Sequence, residues 1–237
     1  MLNLRVRPAV DRVVDPVAVR LLRTGISPDA ITALGTLGVL VGALGFFPRG
    51  MFFTGTAVVF FSVLTDLLDG AMARQLDRER DRRLADPTGS AAGARRRSVF
   101  GAWLDSTCDR LADAAILSGL VLWFTGPGED RLLAGVALFC LVAGSLVSYA
   151  KARAEGLGLR ADVGLAERLE RLILVLLGTL LASLGLPEGL AVALWLLAAA
   201  SAITVVQRLV EVRRQAARQA EGGTEPGAAR SPRSDRL

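Results

Sequence analysis

Asp66-Leu-Leu-Asp69-Gly70-Ala-Met-Ala73-Arg74 closes one long apolar run, and Gly101-Ala-Trp-Leu-Asp105-Ser-Thr-Cys-Asp109-Arg110 opens the next. On an α-helix, residues three apart are displaced by about 60° around the axis and residues four apart by about 40°. Asp66 and Asp69 therefore share one helical face, and Asp105 and Asp109 share another. An Asp in the middle of a membrane helix costs roughly 2.5–3.5 kcal/mol, so four without partners cost on the order of 10 kcal/mol. Arg74 and Arg110 cannot balance four carboxylates. The chain has no His and two Cys, which poorly supplies a soft-metal site. Oxygen-only ligands suit Mg²⁺, Mn²⁺ or Ca²⁺, so Asp66, Asp69, Asp105 and Asp109 are the candidate metal ligands. Gly70 and Gly101 leave bare helix surface beside them for a headgroup or a neighbouring helix. Arg74, about one turn beyond Gly70, is placed to hold a phosphate.

The surrounding composition decides the fold class. Of 237 residues 52% are hydrophobic, mean hydropathy is +0.45, and the apolar runs are long enough to span a bilayer. The expectation is an all-α, polytopic membrane protein. The formal charge of +5 comes from Arg at the ends of apolar segments, which points to anionic lipid rather than nucleic acid as the partner. Cys108 and Cys140 read as small core residues, because their spacing suits neither zinc nor a disulfide framework.

In chain order, residues 8–23 mix apolar and charged side chains at helical spacing, as in an amphipathic helix lying in the membrane interface. Ser27-Pro28-Asp29 then starts a helix: Ser27 caps, Pro28 suits the first position and Asp29 favours the positive dipole end. Six spans follow, over about 29–47, 51–74, 99–124, 131–150, 167–184 and 189–210. Gly38 and Gly42 offer a close-packing face on the first. Residues 75–98, rich in Arg, Asp and Gly, form a charged loop insertion, and Asp113 is expected to pair with Arg110. The membrane domain covers 1–214, and 215–237 reads as a disordered tail. Both termini and the loops after the second and fourth spans carry several Arg, which places them and both acidic halves on the cytoplasmic side.

A second cluster comes from charge at the same ends of the spans. Lys151, the single lysine among 28 basic residues, joins Arg153, Arg168, Arg171 and Arg208. So basic a group suits an acceptor that bears its own phosphate, although positive-inside anchoring also accounts for individual members.

These residues resemble the signature of the CDP-alcohol phosphotransferases, D-x2-D-G-x2-A-R followed by G-x3-D-x3-D. Asp66, Asp69, Gly70, Ala73, Arg74, Gly101, Asp105 and Asp109 each fall on a signature position. Between the halves, 26 residues from Gln75 to Phe100 stand where the family pattern has eight. The resemblance implies transfer of a phosphatidyl group from CDP-diacylglycerol with release of CMP, two divalent cations (Mg²⁺ or Mn²⁺) on the four aspartates, Asp109 as the base, and a homodimer in the cell membrane. It adds Asp29, Thr32 and Ser98 to Gly70 and Arg74 as candidate contacts to CDP-diacylglycerol, beside the plain capping role of Asp29.

Ser148-Tyr-Ala-Lys-Ala-Arg-Ala-Glu, Gly158-Leu-Arg160 and Glu167-Arg-Leu-Glu-Arg-Leu172 are similar to the actinobacterial phosphatidylinositol phosphate synthases within that family. That likeness implies inositol 1-phosphate as acceptor. Two rivals stand beside it. Glycerol 3-phosphate as acceptor would make a phosphatidylglycerol phosphate synthase. Acids in membrane helices also mark divalent-cation transporters, though transport gives no reason for Gly70, Arg74 and Gly101 at these spacings.

Overall fold

The computed structural model describes residues 16–85 and 99–222, without the side chains at 66, 67, 77–85 and 220–222. The described residues form helices joined by turns and irregular connections, with no strand among them. A short helix α1 covers residues 16–23. It is followed by α2 (Pro28–Leu40), which runs on through a π turn (Val41–Phe46) and a 3₁₀ turn (Phe47–Arg49). The rest are α3 (Phe52–Ala85), α4 (Val99–Thr125), α5 (Arg131–Gly156), α6 (Arg168–Ser183) and α7 (Pro187–Gly222).

Six helices close into a ring in the order α2, α3, α6, α7, α5, α4 and back to α2, each packing on the next. Apolar side chains fill it, among them Phe47, Val59, Ile116, Leu120, Leu194 and Leu197, all at most 2% exposed. Glycine lets α2 seat on α3: a Cβ at Gly35 would lie 2.1 Å from Thr65 Oγ1, and one at Gly38 2.2 Å from Ser62 Oγ. A Cβ at Gly42 would meet Val59, so the face expected from Gly38 and Gly42 extends one turn further, to Gly35. On the far flank Gly119 of α4 closes on the Ala43 carbonyl. α2 is thus wedged between the two helices that carry the acidic halves.

Among the described residues, four stretches are long and apolar enough to cross a membrane: Pro28–Arg49, Phe52–Leu76, Arg131–Gly156 and Pro187–Gln219. α4 has 27 residues, but Asp105, Asp109, Arg110 and Asp113 interrupt the stretch up to its middle. α6 has 16 residues, about 24 Å at 1.5 Å per residue. Two boundaries differ from the sequence expectation. α3 continues to Ala85, so the charged insertion opens as helix, its Arg, Glu, Leu and Ala being strong helix formers; residues 86–98, including Ser98, lie outside the described residues. α7 continues to Gly222, so residues 215–222 are helix rather than tail. Of the amphipathic segment expected over 8–23, residues 8–15 lie outside the described residues; the remainder is helical and buries Ala18 against Ala71 and Met72 of α3.

Candidate active site

The first acidic half is held from α2. Ser27 Oγ accepts the Ala30 N–H, and Pro28 and Asp29 fill the first turn. This start places Thr32 on the buried face with Gly35, Thr36 and Val39. From there the Thr32 hydroxyl donates to Asp69 Oδ2 at 2.5 Å, and Asp69 is 7% exposed. A buried carboxylate costs free energy unless it is hydrogen-bonded, and Thr32 supplies such a bond. Asp29 is half-buried at the same helix start, and Arg74 is half-buried with Nη1 3.5 Å from where a Gly70 Cβ would lie. The Asp66 side chain lies outside the described residues.

The second half is held from α6. Asp105 and Asp109 are half-buried on α4. Asp109 Oδ1 lies 3.0 Å from Arg168 Nη2, and its Oδ2 lies 3.5 Å from Arg110 Nη1. Asp113, expected to pair with Arg110, instead takes Arg171 Nη2 at 2.5 Å and lies 4.0 Å from Arg168 Nε. The reason is topological: α6 delivers two arginines three residues apart to the acids of α4, whereas Arg110 turns back on its own helix and donates to the Ser106 carbonyl. Because α4 and α6 are not neighbours in the ring, these ion pairs reach across it.

The basic cluster divides by burial. Arg153 is exposed and Lys151 half-buried. Lys151 Nζ lies 2.6 Å from Asp162 Oδ1, and that hydrogen bond, with the ammonium charge, holds the Asp162 carboxyl below the ordinary aspartate range. Arg171 is 6% exposed and donates to the Ala166 carbonyl as well as to Asp113. Arg208, 3% exposed, donates to the Val163 carbonyl at 2.9 Å and to the Val147 carbonyl, with Glu167 Oε1 3.9 Å from its third nitrogen. Lys151, Arg153 and Arg168 are therefore the accessible cations, and Arg171 and Arg208 are bound into the framework.

The donor chemistry of the four aspartates suits a hard divalent cation: carboxylate oxygens, one of them buried and oriented, in a chain without His. Among the described residues no three Asp, Glu, Cys or His side chains stand together about one point, and Asp66 is not among the side chains described. Asp162 is a further charged residue at this end of the bundle; in the sequence it is one acid in a loop, eleven residues from the single lysine it pairs with, and no motif marks it.

The family model for CDP-alcohol phosphatidyltransferase matches residues 25–82. The chain is 46% identical over 224 residues to a phosphatidylinositol phosphate synthase of Streptomyces avermitilis, covering 92% of this chain and 84% of that protein. A crystal structure of Mycobacterium tuberculosis phosphatidylinositol phosphate synthase with CDP-DAG bound superposes with a TM-score of 0.73 at 46% identity, over 85% of this chain and 94% of that one. A second, of the same enzyme in complex with manganese and citrate, gives a TM-score of 0.72 at 44% identity, over 94% and 93%. With identity at this level across nearly the whole of its relatives, and the eight signature residues in place on α3 and α4, this chain belongs to the CDP-alcohol phosphatidyltransferase family and is an enzyme of phospholipid synthesis.

Proposed function

We propose that this chain transfers the phosphatidyl group of CDP-diacylglycerol to inositol 1-phosphate, giving phosphatidylinositol phosphate and CMP. The observation that carries this reading is the Asp109–Arg168 pair at 3.0 Å. It puts the candidate base of the signature beside the basic cluster, so a phosphorylated alcohol held there presents its hydroxyl to Asp109. The relatives bear the same activity in their names, and one of them binds CDP-DAG.

Asp66, Asp69, Asp105 and Asp109 would hold Mg²⁺ or Mn²⁺, which when bound neutralises the diphosphate of the lipid nucleotide. Thr32 acts through Asp69, orienting the carboxylate. Gly70 gives the headgroup room, Arg74 takes phosphate charge, and Asp29 and Ser98 complete the nucleotide contacts. Lys151, Arg153 and Arg168 bind the acceptor phosphate directly, with Arg171 and Arg208 fixing the backbone and acids around them. The acceptor hydroxyl oxygen bonds to the lipid-side phosphorus as the bond to the CMP phosphate breaks, and the hydroxyl proton passes to the Asp109 carboxylate.

α4 and α6 complete a six-span bundle in the cell membrane. In support, Leu169, Ile173 and Leu177 form an apolar stripe on α6, each at least 50% exposed, as lipid contact requires. α1 lies at the interface, the positive-inside rule turns the active site to the cytoplasm, and the family resemblance makes the assembly a homodimer. The test is CMP release by purified protein in CDP-diacylglycerol micelles with Mg²⁺ and one acceptor at a time. Inositol 1-phosphate is the expected substrate; turnover with glycerol 3-phosphate alone refutes the assignment. Cation flux in proteoliposomes without CMP release under any acceptor refutes the transferase reading altogether.

A further inference from the structure

One face of α7 reads the α5–α6 connection residue by residue. Thr204, Arg208, Val212 and Gln215 follow one another at spacings of four, four and three, so the first and last differ by only about 20° around the axis. Thr204, wholly buried, accepts the N–H groups of Leu165 and Ala166, both at 3.0 Å, and donates to the Ala200 carbonyl at 2.8 Å. Arg208 holds the Val163 carbonyl. Val212 packs on Ala154, Leu159 and Ala161. Gln215 takes both backbone groups of Arg160, accepting its N–H at 2.9 Å and donating to its carbonyl at 2.7 Å. Gly164 makes the approach possible: its φ is +150°, and a Cβ there would lie 2.4 Å from Thr204 Cγ2.

The segment clamped in this way carries Asp162, on Lys151, and leads directly into Arg168, on Asp109. A loop left to itself fluctuates over many conformations, and hydrogen bonds at both ends remove that freedom. We propose that Gln215 and Thr204 are positioning residues for acceptor use: neither touches substrate, and both fix the loop that aims Lys151 and Arg168. The stretch of α7 beyond Arg208 is then a working part of the acceptor half of the site. This rests on the proposed function for the identity of the acceptor, not for the clamp itself.

The test is steady-state kinetics on the full-length protein in CDP-diacylglycerol micelles, with Gln215→Ala, Thr204→Val and Thr204→Ser, alongside retention of CDP-diacylglycerol by each variant. Expected for the first two is a rise of about tenfold in KM for inositol 1-phosphate, the scale of one or two lost hydrogen bonds, with kcat and CDP-diacylglycerol binding within about twofold of wild type. Thr204→Ser, which keeps the hydroxyl, restores the acceptor KM. An unchanged acceptor KM in Gln215→Ala and Thr204→Val overturns the proposal, as does an equal loss of CDP-diacylglycerol binding, which marks general damage. If wild-type protein takes glycerol 3-phosphate instead, only the proposed acceptor falls, and the same KM comparison with that acceptor still decides for or against the clamp.

Discussion

Thr32 donates its hydroxyl proton to Asp69 at 2.5 Å, joining the start of α2 to the first half of the signature across 37 residues of sequence. Asp69 is 7% exposed, so the bond satisfies a buried carboxylate and orients it. Thr32→Val keeps the shape and deletes the donor. The expected result is a rise of about tenfold in the Mg²⁺ concentration giving half-maximal CMP release, with Thr32→Ser within about twofold of wild type. A metal titration of CMP release with both variants measures it, and an unchanged midpoint in Thr32→Val would detach Thr32 from the site.

Asp109 touches both halves of the chemistry, through its place in the signature and through Arg168. Asp109→Asn is close in size and cannot accept the hydroxyl proton. CMP release is expected to fall by about 10²–10⁴-fold while the protein stays folded and retains CDP-diacylglycerol. Radiolabelled CMP release and lipid retention on the same sample provide the check; turnover near wild type rules Asp109 out as base.

Much of this was legible in the residues, and what was not has a common cause. Ser27, Pro28 and Asp29 announce the start of α2 because capping is local chemistry, and Gly38 and Gly42 announce a close helix contact because small residues at one-turn spacing leave a groove. The acidic halves stand out because carboxylates are costly in apolar helices. Partners were another matter. Asp113 has Arg110 as its nearest arginine along the helix, and the ring instead brings it Arg171. Arg208 reads as an acceptor-phosphate ligand by charge, and its burial at 3% exposure with Nε and Nη1 on the Val163 and Val147 carbonyls is not visible in the sequence. Which donor meets which acceptor depends on helix order around the ring, and neither periodicity nor charge carries that order.

The Arg171–Asp113 pair tests the framework independently of activity. Both side chains are mostly buried, with Arg171 6% exposed, and removing one partner of such a pair leaves a charge without compensation. Arg171→Met is expected to destabilise the protein by about 3 kcal/mol, and Arg171→Met with Asp113→Leu to recover part of that loss. Thermal unfolding in detergent resolves the two cases. Additive losses in the double variant would mean that the two residues do not stabilise the bundle as a pair.

The Lys151–Asp162 pair gives the pH dependence. Lys151 lowers the Asp162 pKa from its ordinary 3.8, so the folded state binds this proton less readily than the unfolded chain. The pair's contribution is therefore fully present above the ordinary aspartate value and is lost as pH falls through the lowered one. From pH 8 to pH 5 the Asp162 carboxylate stays charged, and the difference in unfolding temperature between wild type and Asp162→Asn is expected to be constant. Below about pH 3.8 the two proteins converge, and the shift is small throughout because Asp162 is exposed. Calorimetry at stepped pH follows it. A difference that already closes between pH 6 and pH 5 would mean that Lys151 does not hold Asp162 in its charged form, and the accessible half of the acceptor cluster would need a different geometry.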